Sequence, residues 1–122
     1  MEKEYQDLTI AEVREFMGKT REEKYQLVDV RFLDEYEEDH LAGAILIPVG
    51  EIEERISELS STKDTIVYCL SGKRSVAASV FIGTHPAFEG KVYNMLGGYL
   101  EWDGHYIEDM PNLKVFDMEG SD

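Results

Sequence analysis

A single cysteine stands in this chain of 122 residues, at a place suited to a nucleophile. The run Thr65-Ile66-Val67-Tyr68-Cys69 is short, apolar and β-branched, as buried strands are. Leu70-Ser71-Gly72-Lys73-Arg74-Ser75 follows at once, and then Val76-Ala77-Ala78-Ser79-Val80-Phe81-Ile82 reads as a helix. A strand ending in Cys, a tight turn with Gly and two cations, and a helix would aim backbone N–H groups at the sulfur. That arrangement favours a thiolate, or a negative group attached to it. A free thiol has a pKa near 8.5, so roughly 3% is ionised at pH 7. A drop of about two units would ionise most of it and corresponds to about 2.7 kcal/mol of preferential stabilisation of the anion. Loop amides, the helix N-terminus and a nearby Arg can supply that. A free Cys at the end of a strand is often only an inert apolar residue. The Ser-Gly-Lys-Arg sequence behind Cys69 favours the reactive reading.

The elements that would position this loop alternate along the chain. Tyr5 to Leu8 reads as a first strand. Thr9 and Glu12 form a capping box, and the helix after it runs to about Met17, with Gly18 as its stop. Arg21 to Lys24 is a charged loop, Gln26 to Val30 a buried strand, and Asp34 to Asp39 an acidic helical turn or short helix. Ala44 to Ile47 is a third strand, closed by Pro48. Val49, Ile52, Ile56 and Leu59 fall at helical spacing. Thr65 to Cys69 is the fourth strand and Lys91 to Asn94 the fifth, before a last short helix from Gly97 to Trp102. Alternating strands and helices predict an α/β fold with a mostly parallel sheet. Ligands of such sheets bind beyond the carboxyl ends of the strands, where Cys69, Asp29 and Arg31 fall. One domain over residues 1–117 is expected, with 118–122 a disordered tail.

Composition narrows the chemistry. Hydrophobic residues make up 43% and charged residues 31%, ordinary for a globular protein. No apolar run approaches a membrane span, and the N-terminus has no apolar signal region. A lone Cys rules out an intrachain disulfide, and with the missing signal it points to a cytoplasmic setting. The net charge of −14 argues against nucleic acid as a partner. An anionic substrate would need local cations to overcome that field, and Lys73 and Arg74 are placed to provide them. His85 and His105 have no companion Cys at metal-binding spacing, so no metal site is expected. His40 reads as a hydrogen-bonded structural residue rather than a base.

Four segments together resemble the rhodanese-like sulfurtransferase family. Leu27-Val28-Asp29-Val30-Arg31 is similar to its Asp-x-Arg strand end. Glu35-Tyr36 with His40-Leu41-Ala42-Gly43-Ala44-Ile45-Leu46-Ile47-Pro48 is similar to its His-x-x-Gly-Ala…Pro segment. Cys69 to Ser75 resembles its Cys-x-x-Gly-x-Arg active loop, and Leu96-Gly97-Gly98 with Trp102 its Gly-Gly…Trp element. Asp39, where many members carry Gly, and Leu46, in place of a frequent Asn, depart from the pattern away from the nucleophile. The resemblance implies a five-stranded, mostly parallel sheet with helices on both faces. It implies a thiosulfate sulfurtransferase without cofactor or metal, in which Cys69 attacks the sulfane sulfur of a small anionic donor and becomes a persulfide. Cyanide or a thiol, a protein thiol included, then removes the outer sulfur. Leu70, Ser71, Gly72, Lys73 and Arg74 would hold the donor and the persulfide. Arg31 would stand near the rim, binding an anion or pairing with Glu35, although Asp29 and Arg31 could equally be structural. With no second Cys, the sulfur must leave to an external acceptor. Two alternatives stand beside this reading. One is a sulfur-carrier or binding module without efficient turnover. The other is a Cys-based phosphatase or arsenate reductase, which has five residues between Cys and Arg. Here only four separate Cys69 from Arg74.

Overall fold

The computed structural model describes residues 4–102. Five strands, β1 (Gln6–Leu8), β2 (Tyr25–Asp29), β3 (Ile45–Leu46), β4 (Asp64–Tyr68) and β5 (Val92–Met95), form one sheet in the order β1-β5-β4-β2-β3. Every pairing is parallel. The α-helices that end within the described residues are α1 (Ile10–Lys19), α2 (Leu33–Glu38), α3 (Ile52–Arg55) and α4 (Arg74–Thr84), and residues 98–102 are helical as well, where a last short helix was expected. The expected α/β architecture is therefore present, with the sheet wholly parallel among the described residues.

Strand alternation divides the core between the two faces of the sheet. Ile66 and Tyr68 pack with Leu27, with Ile10 and Val13 of α1, and with Trp102. Val67 and Cys69 pack with Val28, with Ile52 of α3, and with Ala78 and Ile82 of α4. Cys69 thus faces the side covered by the helix that follows it. β4 and β2 are central and buried on both faces, which explains their continuous apolar runs. Tyr68 is fully buried, and its hydroxyl accepts the Leu41 N–H at 3.1 Å.

Several expected boundaries shift. The capping box at Thr9 and Glu12 is formed, but α1 continues through Gly18 to Lys19. Gly18 is exposed and meets no neighbour, so it costs only the modest propensity penalty of a helical glycine, about 1 kcal/mol. The charged loop contains a 3-10 turn at Glu22–Lys24. The helical spacing from Val49 to Leu59 yields only one α-helical turn, α3, between the 3-10 turns Val49–Glu51 and Ile56–Glu58. β4 ends at Tyr68, so Cys69 is the first residue beyond the strand. Residues 118–122 and His105 lie outside the described residues. No described helix is long and apolar enough to cross a membrane.

Candidate active site

The loop from Cys69 to Ser75 wraps its backbone around the sulfur. Gly72 adopts φ +96°, a left-handed conformation disfavoured for side-chain-bearing residues. That turn directs the Gly72 N–H to Cys69 Sγ at 3.1 Å. α4 begins at Arg74, and the Ser75 N–H, one of the first-turn donors with no partner inside the helix, points at Sγ from 3.3 Å. The Ser75 hydroxyl lies 3.4 Å from Sγ. Cys69 and Ser75 are both fully buried, so the sulfur lies at the bottom of this ring of donors. Burial pushes the thiol up. The Ser75 hydroxyl and the N–H groups of Ser75, Gly72 and Ser71 more than offset it, and the net shift is below the ordinary thiol value.

The back of the loop is tied by the segment after β5. Tyr99 N–H donates to the Cys69 carbonyl at 2.8 Å, and Leu100 N–H to the Leu70 carbonyl at 2.9 Å. These bonds engage the loop's carbonyls away from the sulfur. Gly98 (φ +63°) makes the approach possible. A Cβ there would stand 2.4 Å from the Leu70 carbonyl oxygen and 2.6 Å from that of Cys69. Gly98 thus lets one backbone come against another, and that other is the cysteine loop itself.

A chain of polar groups, buried at Ser75 and Asn94 and part-buried at Asp7, continues from the sulfur into the sheet. The Ser75 hydroxyl donates to Asn94 Oδ1 at 2.5 Å, and Asn94 Nδ2 donates to Asp7 Oδ1 at 3.0 Å. Ser75, Asn94 and Asp7 are not among the site residues expected from sequence. The readable signal was Asn94 itself, a polar side chain in a buried strand, which has to find partners.

The two arginines take different positions from those expected. Arg31 is buried and turned inward. Its Nε and Nη2 donate to the Asp29 carboxylate, Nη2–Oδ2 being 2.8 Å, and Nη2 also reaches the Asp39 carbonyl at 2.7 Å. The guanidinium carbon lies 4.6 Å from the Tyr99 ring centre. The pair with Asp29 was not among the partners expected for Arg31, and the expected pairing with Glu35 is absent. Glu35 instead pairs with Arg74 through two bonds of 3.1 Å, while holding the Phe32 N–H at 2.8 Å. Burial pushes the Glu35 carboxyl up, but Arg74 and the Phe32 N–H hold it below the usual range. Lys73, just before α4, is exposed and makes no ion pair among the described residues. The side chains of Leu70 and Ser71 are exposed on the loop.

His40 is exposed, with Nδ1 at 2.7 Å from the Tyr36 carbonyl and its ring stacked on Tyr36. Among the described residues no cluster of His, Cys, Asp or Glu is arranged to hold a metal.

The sequence profile of the rhodanese-like domain matches residues 10–105. The chain belongs to the rhodanese-like family. Its rhodanese-like relatives include a Bacillus subtilis protein named as a candidate sulfur carrier, YrkF, 36% identical over 83 residues. That match takes in 68% of this chain but 44% of the relative, so the chain spans less than half the length of that protein. The thiosulfate sulfurtransferase GlpE of Coxiella burnetii is 30% identical over 82 residues, covering 66% of this chain and 73% of that one. Among solved structures, a rhodanese-related protein from Thermoplasma volcanium superposes with a TM-score of 0.70 at 27% identity, over 87% of this chain and 94% of that one.

Proposed function

We propose that this chain is a sulfurtransferase that carries sulfane sulfur on Cys69. The Cys69 thiolate attacks the outer sulfur of a donor such as thiosulfate. The donor's S–S bond breaks, sulfite leaves with the electron pair, and a Cys69 persulfide remains. A second nucleophile, cyanide or a thiolate, then attacks the outer sulfur and restores the Cys69 thiolate. Neither half-reaction needs an external oxidant or reductant. The observation that carries this reading is the buried Sγ ringed by the Gly72 N–H, the Ser75 N–H and the Ser75 hydroxyl. Donors fixed before reaction stabilise negative sulfur at little reorganisation cost. The loop from Leu70 to Arg74 supplies the cradle, with Lys73, which has no ion pair among the described residues, to meet the donor's oxyanion end. Arg31 supports the site by holding Asp29 beside the central strands. A reducing, cytoplasmic setting suits a lone thiol of this kind.

The carrier alternative has a specific observation in its favour. Arg74 is neutralised by Glu35, which leaves Lys73 as the one loop cation without an ion pair among the described residues to recruit a dianion in a strongly acidic chain. Slow turnover with small donors and fast exchange with a partner would follow. Mass spectrometry after incubation with thiosulfate is the test. A gain of one sulfur atom, lost on adding cyanide or dithiothreitol and absent in Cys69→Ser, is the expected result. An adduct that persists in Cys69→Ser refutes the assignment.

A further inference from the structure

Six large hydrophobic side chains among the described residues are substantially exposed: Phe32, Leu33, Leu70, Val80, Leu96 and Leu100. Isolated exposed apolar residues are ordinary and need no explanation. These are not isolated. All except Val80 lie in the segments that leave the carboxyl ends of β2, β4 and β5, at the same end of the sheet as Cys69. Phe32 lies under the Arg74 guanidinium, 5.1 Å from ring centre to carbon, and Arg74 opens the helix behind the cysteine loop. Leu70 and Leu100 are joined by a backbone hydrogen bond of 2.9 Å. Leu100 is 63% exposed and Phe32 59%, the two most exposed of the set. The segments at the cysteine end of the sheet thus present five exposed apolar side chains, an apolar collar at that end.

The charges beside this collar are mostly of one sign. Asp34, Glu37 and Glu38 on α2 and Glu101 beside Leu100 are exposed carboxylates. Arg74 is bound to Glu35, which leaves Lys73 as the local cation. An apolar rim bordered by acids gives little to a small hydrophilic anion. It complements a chain segment that is apolar at its centre and basic at its flanks. The depth of the cysteine fits this occupant. Sγ is fully buried, and a persulfide would extend the reacting atom outward by an S–S bond of about 2 Å. A small thiol can reach that atom from solvent, and a thiol carried on a chain segment reaches it when the segment rests on the collar.

We infer that the collar of Phe32, Leu33, Leu70, Leu96 and Leu100 docks a cysteine-bearing segment of another protein, apolar around its thiol and basic beyond, which is the sulfur acceptor. The inference rests on the proposed function, since it concerns the discharge half of that reaction. The acceptor thiolate attacks the outer sulfur, its new S–S bond forms as the Cys69 S–S bond breaks, and the electron pair returns to Cys69. The acceptor leaves as a persulfide, with charge and oxidation state balanced.

The test loads the full chain with sulfur from thiosulfate, verifies the mass gain, and follows discharge to two synthetic peptides. One has its Cys between leucines with lysines outside them. The other has serines and glutamates in those places. Each rate is divided by that peptide's rate with a small soluble disulfide, which removes the difference in intrinsic thiol reactivity, and dithiothreitol is the reference acceptor. The expected result is discharge at least ten-fold faster to the leucine–lysine peptide. In Leu33→Ser/Leu96→Ser that preference should fall to within two-fold, with the dithiothreitol rate unchanged. The single variant Leu33→Ser should show an intermediate preference if the double variant fails to fold. Equal discharge to both peptides, or a preference that survives the substitutions, overturns the inference while leaving sulfur transfer intact. A concentration-dependent dimer that Leu100→Ser abolishes also overturns it, because the collar is then covered by a second copy. A chain that takes up no sulfur refutes the proposed function itself, and this inference with it.

Discussion

Replacing Ser75 by Ala removes one oxygen from the centre of the site, and the structure sets the expected consequence. The hydroxyl has one proton and two neighbours able to accept it, Cys69 Sγ at 3.4 Å and Asn94 Oδ1 at 2.5 Å. With a neutral thiol, S–H donates to Ser75 and Ser75 donates to Asn94. With a thiolate, the Ser75 proton turns to the sulfur. A hydrogen bond to a charged group contributes about 1.5–3 kcal/mol, or roughly ten- to hundred-fold in the thiolate equilibrium. Ser75→Ala should therefore raise the midpoint of thiol ionisation by at least about one pH unit. Asn94→Ala should act in the opposite direction. It removes the competitor for the proton, so the thiolate no longer forms at the expense of the Asn94 bond, and the midpoint should fall by a fraction of a unit. Alkylation rates of Cys69 with iodoacetamide as a function of pH report both. A Ser75→Ala midpoint equal to that of the parent chain would show that the amides alone hold the anion. A rise in Asn94→Ala would show that the Asp7–Asn94–Ser75 chain instead holds the hydroxyl in its donating position.

Three further outcomes are expected. The folded state holds the Cys69 thiol below its ordinary pKa, so the unfolded chain binds more protons between the folded value and about 8.5. Over that window the Cys69 contribution to stability should grow as pH rises, and it should be lost as pH falls through the folded value. The difference in thermal midpoint between the parent chain and Cys69→Ser, measured across pH, checks this, and a flat difference would contradict it. Glu35→Gln releases the Arg74 guanidinium, so loading of Cys69 by thiosulfate should accelerate several-fold, read as sulfur incorporation by quenched-flow mass spectrometry. An unchanged loading rate would remove Arg74 from donor recruitment. Arg31→Met leaves Asp29 buried without its cation and should cost about 3–5 kcal/mol in urea unfolding. A loss under 1 kcal/mol would mean that the pair does not anchor the end of β2.

What could be read from sequence depended on how local the cause was. The Thr9–Glu12 cap, the alternation of apolar strands with helices, and the donor-rich turn after Cys69 all act over a few residues, and each is present. The inward turn of Arg31 was half legible: Asp29 is two residues earlier and on the same side of an extended chain, which makes their pairing geometrically natural. The link from Asp7 to Asn94 spans 87 positions and depends on β1 lying beside β5, a consequence of strand order that no local pattern contains. The Arg74–Glu35 pair likewise requires α2 and α4 to meet at one end of the sheet. Gly18 failed as a helix stop because its exposed surroundings impose no turn and the helix tolerates it.

The bonds from Tyr99 and Leu100 to the carbonyls of Cys69 and Leu70 bear on when reactivity arises. Those donors belong to the last described segment of the chain, and they fix the backbone of a loop made thirty residues earlier. Until that segment docks, the donors around Cys69 are not held in place, and less of the thiol is ionised at neutral pH. The thiolate is in this way a product of the completed fold, since the loop's own residues do not close the ring around the sulfur without the segment that follows β5.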